Sequence, residues 1–233
     1  MPVFELPKDK IIFPHPSLAE ESGLLAIGGD LTPERLIKAY ANGIFPWYSQ
    51  GEPLMWWSLD PRMVLFPQEF KASRSLRRLI RKQKFEVTLN YNFAEVMSHC
   101  SSVPRFNQED TWITREMMQA YKKLHRLGYA HSFETWYDNK LVGGLYGVSI
   151  GKAFFGESMF HTMTDASKVA FYHFINHIKE GGFHLVDAQM HTNHLASLGA
   201  RLIDRSEYLE KLAKAVQSEL PDKSFWKRQR CSQ

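Results

Sequence analysis

The 233 residues predict an α+β fold, with a small N-terminal α/β domain over 1–61 followed by a larger α+β domain over 62–233. Three observations point there. A capped helix comes early in the chain, a proline- and tryptophan-rich stretch follows it, and in the long remainder strand and helix patterns alternate. With 44% hydrophobic residues, the chain can bury one large core or two modest ones.

The elements follow in order. Thr32, Pro33 and Glu34, then Leu36, Ile37 and Tyr40, and finally Gly43, read as a helix with an N-cap, a first-turn proline and a terminal glycine. The run "IFPWYSQGEPLMWWSLDPRMVLFP" holds four prolines and three tryptophans, a composition suited to neither a long helix nor a central strand. The domain boundary is placed near Asp60 and Pro61. A helix starts at Ser73, "FEVTLN" is a strand, and a helix lies near Phe93 to Met97, followed by the irregular "SSVPRFNQEDT". Thr114 caps a helix carrying Met117, Met118, Tyr121 and Leu124, closed by Gly128. "AHSFETWYDNKLVGGLYGVSIGKAFFGESMF" divides into three strands with turns at Asp138-Asn139 and Gly151. A buried helix from about Asp165 to Glu180, the strand "FHLVDAQ", a short helix from Asn193 and a last helix from Ser206 complete the plan. No repeat or low-complexity tract interrupts it.

Composition excludes several classes. Lys+Arg 29 against Asp+Glu 25 leaves a net charge of +4, an excess that permits a polyanionic partner without requiring one. Cys100 and Cys231 show neither CxxC nor His-paired spacing, so no zinc site or disulfide framework is expected. "MPVFELPKDK" lacks a leader pattern, and no run approaches the ~18 apolar residues of a membrane span. A cytoplasmic protein, acting as a monomer and away from the membrane, is the expectation.

Two local features stand out. Arg74, Arg77, Arg78 and Arg81 fall at i, i+3, i+4 and i+7, an arginine stripe opposite Leu76, Leu79 and Ile80, with Lys82 and Lys84 adjacent. Glu157 sits inside the aromatic and methionine-rich "GKAFFGESMFHTM". Burying an ionised carboxylate without partners costs several kcal/mol, so an inward Glu157 must meet a base or hydrogen-bond donors.

The meander followed by helix, strand, helix and strand resembles the acyltransferase fold of acetyl-CoA-dependent N-acetyltransferases, with "NHLASLGARLI" similar to its closing segment. Those enzymes grip the CoA pyrophosphate with a glycine-rich turn at a helix N-terminus. Here that place reads "FHTMTDASKVAF", without glycine. A different acyl donor is therefore expected.

Five blocks in order, "GLLAIGGDLTPERLIKAYANGIFPWYS", "MWWSLDPRMVL", "TWITREMMQAYKKLHRLGYAHSFETW", "LVGGLYGVSIGKAFFGESMF" and "VDAQMHTNHLASLGA", resemble the bacterial leucyl/phenylalanyl-tRNA–protein transferases from about Gly23 to Ser224. The resemblance implies movement of leucine or phenylalanine, with methionine as a further candidate, from charged tRNA to the N-terminal amine of proteins beginning with Arg or Lys, marking them for degradation. An aminoacyl ester is already activated for attack by an amine, so neither cofactor nor metal is expected. The chemistry needs a neutral α-amine, with a reference pKa of ~7.7–8.0, an acceptor for its proton and a donor for the oxyanion.

The resemblance assigns Asp187 and Gln189 to the reaction centre. Two apart on a strand, they are expected to share one face. Glu157 and Asp187 together are expected to make the cavity acidic, selecting Arg or Lys by charge-assisted hydrogen bonds. Which carboxylate meets the side chain and which the amine stays open. Leu145, Phe154, Met159, Phe171 and Phe174 match the family's pocket for the amino-acid side chain, although family members often carry methionine where Leu145 stands. Trp47 and Trp112 match its stacking platforms for the terminal adenosine, with Tyr40 and Tyr121 as neighbours. Trp56 and Trp57 are assigned to core between the domains. The tRNA body is assigned to Arg74, Arg77, Arg78, Arg81 and Lys82, with "KRQR" near the C-terminus as a further source of field. Two alternatives fit parts of the pattern, a CoA-dependent N-acetyltransferase and an RNA-binding adaptor without catalysis.

Overall fold

A computed structural model describes residues 3–102, 112–220, 222 and 224–231. Most of the expected irregular run before Trp112 lies outside the described residues.

Two sheets carry the chain. The first contains β1 (Phe4–Leu6), β2 (Leu24–Gly28), β3 (Phe45–Pro46) and β4 (Met55–Trp57) in the order β1-β2-β4-β3, with α1 (Pro33–Ala41) between β2 and β3. Pro33 opens α1 as expected, but Thr32 does not cap it with its side chain. Instead Asp30 Oδ1 accepts from the Thr32 backbone N–H at 2.9 Å and its hydroxyl at 2.6 Å. Asp30 also pairs with the buried Arg35 at 3.2 Å. Arg35 in turn donates to the carbonyls of Pro7 and Lys10 at 2.8 and 3.1 Å, tying the first strand's exit to the helix.

The second sheet has the order β11-β5-β10-β9-β8-β7-β6-β12. Its strands are β5 (Arg62–Leu65), β6 (Glu86–Leu89), β7 (Ala130–Tyr137), β8 (Lys140–Ile150), β9 (Ala153–His161), β10 (Leu185–Gln189), β11 (Arg201–Ile203) and β12 (Gln229–Arg230). The helices are α2 (Arg74–Arg81), α3 (Phe93–Ser101), α4 (Arg115–Arg126), α5 (Ala166–Glu180), α6 (Asn193–Ser197) and α7 (Arg205–Val216). Strands β6 to β9 form the antiparallel meander, and α5 then crosses so that β10 lies parallel to β9. The α+β class stands, and the order is the expected meander followed by helix and strand.

The proline-rich run departs from expectation. Two strands inside it are central, since β4 lies between β2 and β3, and β5 between β11 and β10. Proline is excluded from the ladder of a central strand but tolerated at an edge, and Pro46 accordingly lies in the edge strand β3. Pro53, Pro61 and Pro67 flank the proline-free segments of β4 and β5, leaving room for strands of three and four residues.

The core has two lobes. One packs Leu25, Trp56 and Tyr40 from the first sheet and α1 against Tyr121, Tyr146 and Phe155 of the second unit. The other packs α5 through Phe171, Phe174 and Ile178 onto Phe133, Leu145 and Phe154. Trp56 is fully buried in the first lobe, and its Nε1 donates to the Gly28 carbonyl at 2.9 Å.

Candidate active site

The site begins as two defects in neighbouring strands. In the β8–β9 ladder Tyr146 faces Ser158 and Gly147 faces Gly156, so Glu157 is the extra, unpaired residue of a bulge. In the β10–β5 ladder Asp187 faces Val64 and Gln189 faces Met63, so Ala188 is skipped in the same way. Between β9 and β10 the parallel ladder covers only Ala153–Phe155 against Leu185–Asp187. Past both bulges the strands separate, and a cavity of about 500 Å³ opens, lined from β9 by Gly156 to Met159, from β10 by Val186, Ala188 and Gln189, and by Met190 just after it. Bulges re-aim side chains and end pairing, and here they do both.

Glu157 is the carboxylate lining this cavity. Tyr40 Oη donates to its Oε1 at 2.7 Å, and Gln189 Nε2 donates to the same oxygen at 3.2 Å. The hydroxyls of Tyr40 and Tyr121 are hydrogen-bonded to each other. Burial pushes the Glu157 carboxyl up to about 7, against the hydrogen bonds of Tyr40, Tyr121 and Gln189 that favour its charged form. Among the described residues no cation pairs with it. Burial first, then the Glu157 charge, raise Tyr40 and Tyr121 well above the usual phenol range, so both remain neutral donors.

Asp187 is placed otherwise than expected. The bulge at Ala188 and a left-handed Gln189, with φ of 60°, break the alternation that would have put Asp187 and Gln189 on one face. Gln189 lines the cavity, while Asp187 is fully buried. Its carboxylate takes a two-pronged salt bridge from Arg62, 2.9 Å from Nε and 2.7 Å from Nη2, and a third hydrogen bond from Tyr208 Oη at 2.7 Å. Its Oδ1 also accepts the Gln189 backbone N–H at 2.9 Å, holding a residue whose backbone would otherwise cost ~1–3 kcal/mol of strain. Asp187 thus adds no free charge to the cavity and instead fixes the turn that aims Gln189. Neither Arg62 nor Tyr208 stands out in the sequence as a partner of Asp187. An arginine inside the apolar "RMVLF" was the available signal, of the same kind as the glutamate in "FFGESMF".

Leu145, Phe154, Met159, Phe171 and Phe174 come together to line the apolar wall of the cavity. Val186, Ala188 and Leu195 join them, and nothing in their sequence surroundings marks them out. Trp47 and Trp112 line the same cavity. Trp57 braces Trp47, its Nε1 donating to the Trp47 carbonyl at 2.7 Å and the rings lying 5.6 Å apart. Tyr40 and Tyr121 are corrected from stacking neighbours to buried supports of Glu157, because both are fully enclosed and neither lines the cavity.

On α2 the arginine stripe is exposed. Arg74, Arg77, Arg78, Arg81 and Lys82 face solvent, while Leu76 is buried and Leu79 and Ile80 pack against the second lobe. Of the C-terminal basic residues, Arg228 stacks on Tyr91 at 4.0 Å and Arg230 approaches Glu86 at 3.7 Å. Among the described residues no group of three or more His, Cys, Asp or Glu is placed to hold a metal ion, and no helix is long and apolar enough to cross a membrane.

The chain matches the sequence model of the leucyl/phenylalanyl-tRNA protein transferases over residues 64–213 and that of their N-terminal domain over 29–60. The chain belongs to this family. A leucyl/phenylalanyl-tRNA–protein transferase of Syntrophobacter fumaroxidans is 52% identical over 231 residues, covering 99% of this chain and 98% of the relative. Another, from Chromobacterium violaceum, is 53% identical over 216 residues, 92% of each. Among solved structures, a GCN5-related N-acetyltransferase-like protein from Streptococcus suis aligns over 73% of this chain and 64% of its own with 12% identity and a TM-score of 0.37. Membership makes the chain an aminoacyltransferase with aminoacyl-tRNA as donor and protein as acceptor.

Proposed function

We propose that the cavity holds the leucyl or phenylalanyl end of a charged tRNA while the N-terminal Arg or Lys of an acceptor protein docks at Glu157, and that the product is thereby marked for degradation. One observation carries the reading. Glu157 is the carboxylate of a mainly apolar cavity whose other polar lining includes Ser158, Gln189, Thr192 and His194, and it is bonded by neutral donors only and has no counter-ion among the described residues. A pocket meant for apolar material alone would not keep such a group, and an incoming guanidinium or ammonium is the missing partner.

The other parts suit the donor. Leu145, Phe154, Phe171 and Phe174 give depth, and Met159 adapts to either of two side-chain shapes. Trp47 and Trp112 offer faces for the terminal adenine, each worth ~1–3 kcal/mol when a base stacks. With its amide N–H committed to Glu157, Gln189 presents its carbonyl oxygen to an N–H of the acceptor amine and so orients the attack. The neutral amine forms a bond to the ester carbon, the ester C–O bond breaks, and the proton lost by nitrogen ends on the ribose 3′-oxygen. Asp187, through the Gln189 backbone, is a positioning residue.

The test is incubation with labelled leucyl-tRNA and an Arg-initiated peptide, beside acetyl-CoA with the same peptide. Transfer of leucine is expected and acetylation is not. Acetyl transfer alone, or tRNA binding without transfer, would overturn the proposal in favour of an acetyltransferase or an adaptor.

A further inference from the structure

Helix α4 offers a surface that no sequence feature had marked. Thr114 caps it, its Oγ1 accepting from the Met117 N–H at 3.2 Å, so the helix begins three residues after Trp112 at the cavity wall. Met117, Ala120, Tyr121 and Leu124 are its buried residues. At ~100° per residue the direction opposite them belongs to Arg115, Gln119, Lys122 and Arg126, with Lys123 alongside. Arg115, Lys123 and Arg126 are exposed and Lys122 is half-buried.

None of these four cations makes an ion pair among the described residues, although Glu116 shares the helix. Helix α7 gives the contrast, with Lys211 paired to Glu207 at 3.5 Å and Lys214 to Glu210 at 2.7 Å. A helix face that is merely solvated gains from such i,i+4 neighbours, and α4 lacks them where α7 has two. The result is a positive ridge roughly 16 Å long at ~1.5 Å per residue, with one end at the cavity.

We propose that the outward face of α4 is a rail for the phosphate backbone of the donor RNA, carrying the arm that ends in the aminoacyl nucleoside away from Trp112. This rests on the charged-tRNA reading of the cavity. The first turn of α4, with Arg115, lies three residues from Trp112 and so offers an exit to an RNA strand whose last nucleoside lies against that ring, and Lys122, Lys123 and Arg126 continue the same sign of charge. The arginine stripe of α2 is a separate surface, and it would meet a different part of the same RNA.

The experiment compares wild type with the combined variant Lys122→Ala, Lys123→Ala, Arg126→Ala, measuring KM for leucyl-tRNA from 50 to 200 mM salt and KM for leucyl-adenosine as a donor without an RNA body. Each phosphate that the protein no longer neutralises takes about 0.7–0.9 off the slope of log KM on log salt. The variant should therefore show a slope lower by roughly 2–3 and a raised KM for leucyl-tRNA at low salt. KM for leucyl-adenosine, kcat and the melting temperature should match wild type, and replacing Lys122 and Lys123 by Arg should keep the wild-type slope. An unchanged slope overturns the rail, as does an equal rise in KM for leucyl-adenosine, which would show that the helix only supports the cavity. If wild type uses leucyl-adenosine but not leucyl-tRNA, the charged-tRNA reading itself fails, and the rail with it.

Discussion

Glu157→Gln removes one charge while keeping the length of the side chain and the oxygen to which Tyr40 donates at 2.7 Å. In wild type the carboxyl is pushed up to about 7 by burial, so at pH 7 roughly half the empty sites are ionised. A hydrogen bond between ionised Glu157 and the acceptor's cationic side chain is worth ~1.5–3 kcal/mol, or about 10- to 150-fold in kcat/KM. The variant should lose close to that factor at pH 8 and less as the pH falls below 7, where protonated Glu157 behaves like glutamine. The α-amine must also lose a proton, at ~7.7–8.0. Below pH 7, log kcat/KM for an Arg peptide should therefore fall with a slope nearing ~2 in wild type and ~1 in the variant. Stability runs in a fixed direction as well. The folded value lies above the reference of 4.5, so the folded state holds the proton more tightly, and the stability this confers is present below about 4.5 and lost as pH rises through about 7. At 1.36 kcal/mol per pH unit the loss is at most ~3 kcal/mol, lessened by water reaching a half-buried side chain. Above pH 7 the variant should melt higher than wild type. Equal kcat/KM at pH 8, with a slope of 1 in both proteins, would refute the assignment.

Tyr40→Phe and Tyr121→Phe each remove a hydroxyl that favours ionised Glu157, so the acid limb of the kcat/KM profile should move to higher pH, with activity recovered near pH 9. A limb that stays put would reduce the tyrosines to space-filling. Asp187→Asn strips the buried partner from Arg62 and should cost ~3–5 kcal/mol in denaturant unfolding, while lowering kcat at saturating acceptor through a looser Gln189. A variant as stable as wild type would contradict the buried-pair argument. Leu145→Met should shift the ratio of leucine to phenylalanine transferred by no more than ~1–3 kcal/mol, read by competition between the two charged tRNAs. An unchanged ratio would remove residue 145 from the side-chain pocket.

What the sequence made legible was local. Helices α2 and α4 start where Ser73 and Thr114 placed them, and both side chains cap, accepting from Leu76 and Met117. The three long strands and their two turns fall where asparagine, aspartate and glycine allow positive φ, at Asp138, Asn139 and Gly151. Short strands between prolines were hidden, because three or four residues carry too little periodicity to outweigh the breakers beside them. Arg62 and Asp187 are 125 residues apart, and no local pattern connects them. The two bulges were hidden for a related reason. A bulge changes which face a side chain takes without changing residue type, so alternation on "VDAQ" gave the wrong face for one of its two polar residues.

The two carboxylates make the same point chemically. Both appeared as acids in apolar strands, and on sequence they were interchangeable members of one acidic pocket. Their partners separate them. Asp187 receives a guanidinium, a phenol and a backbone N–H, so its charge is satisfied within the fold. Among the described residues Glu157 receives only neutral donors, and burial pushes its carboxyl up to about 7, so on the proposed reading its charge is left for a ligand. Such a difference in partners sets the two acids to different tasks, and we propose that recognition of the acceptor falls to Glu157, which has no counter-ion among the described residues.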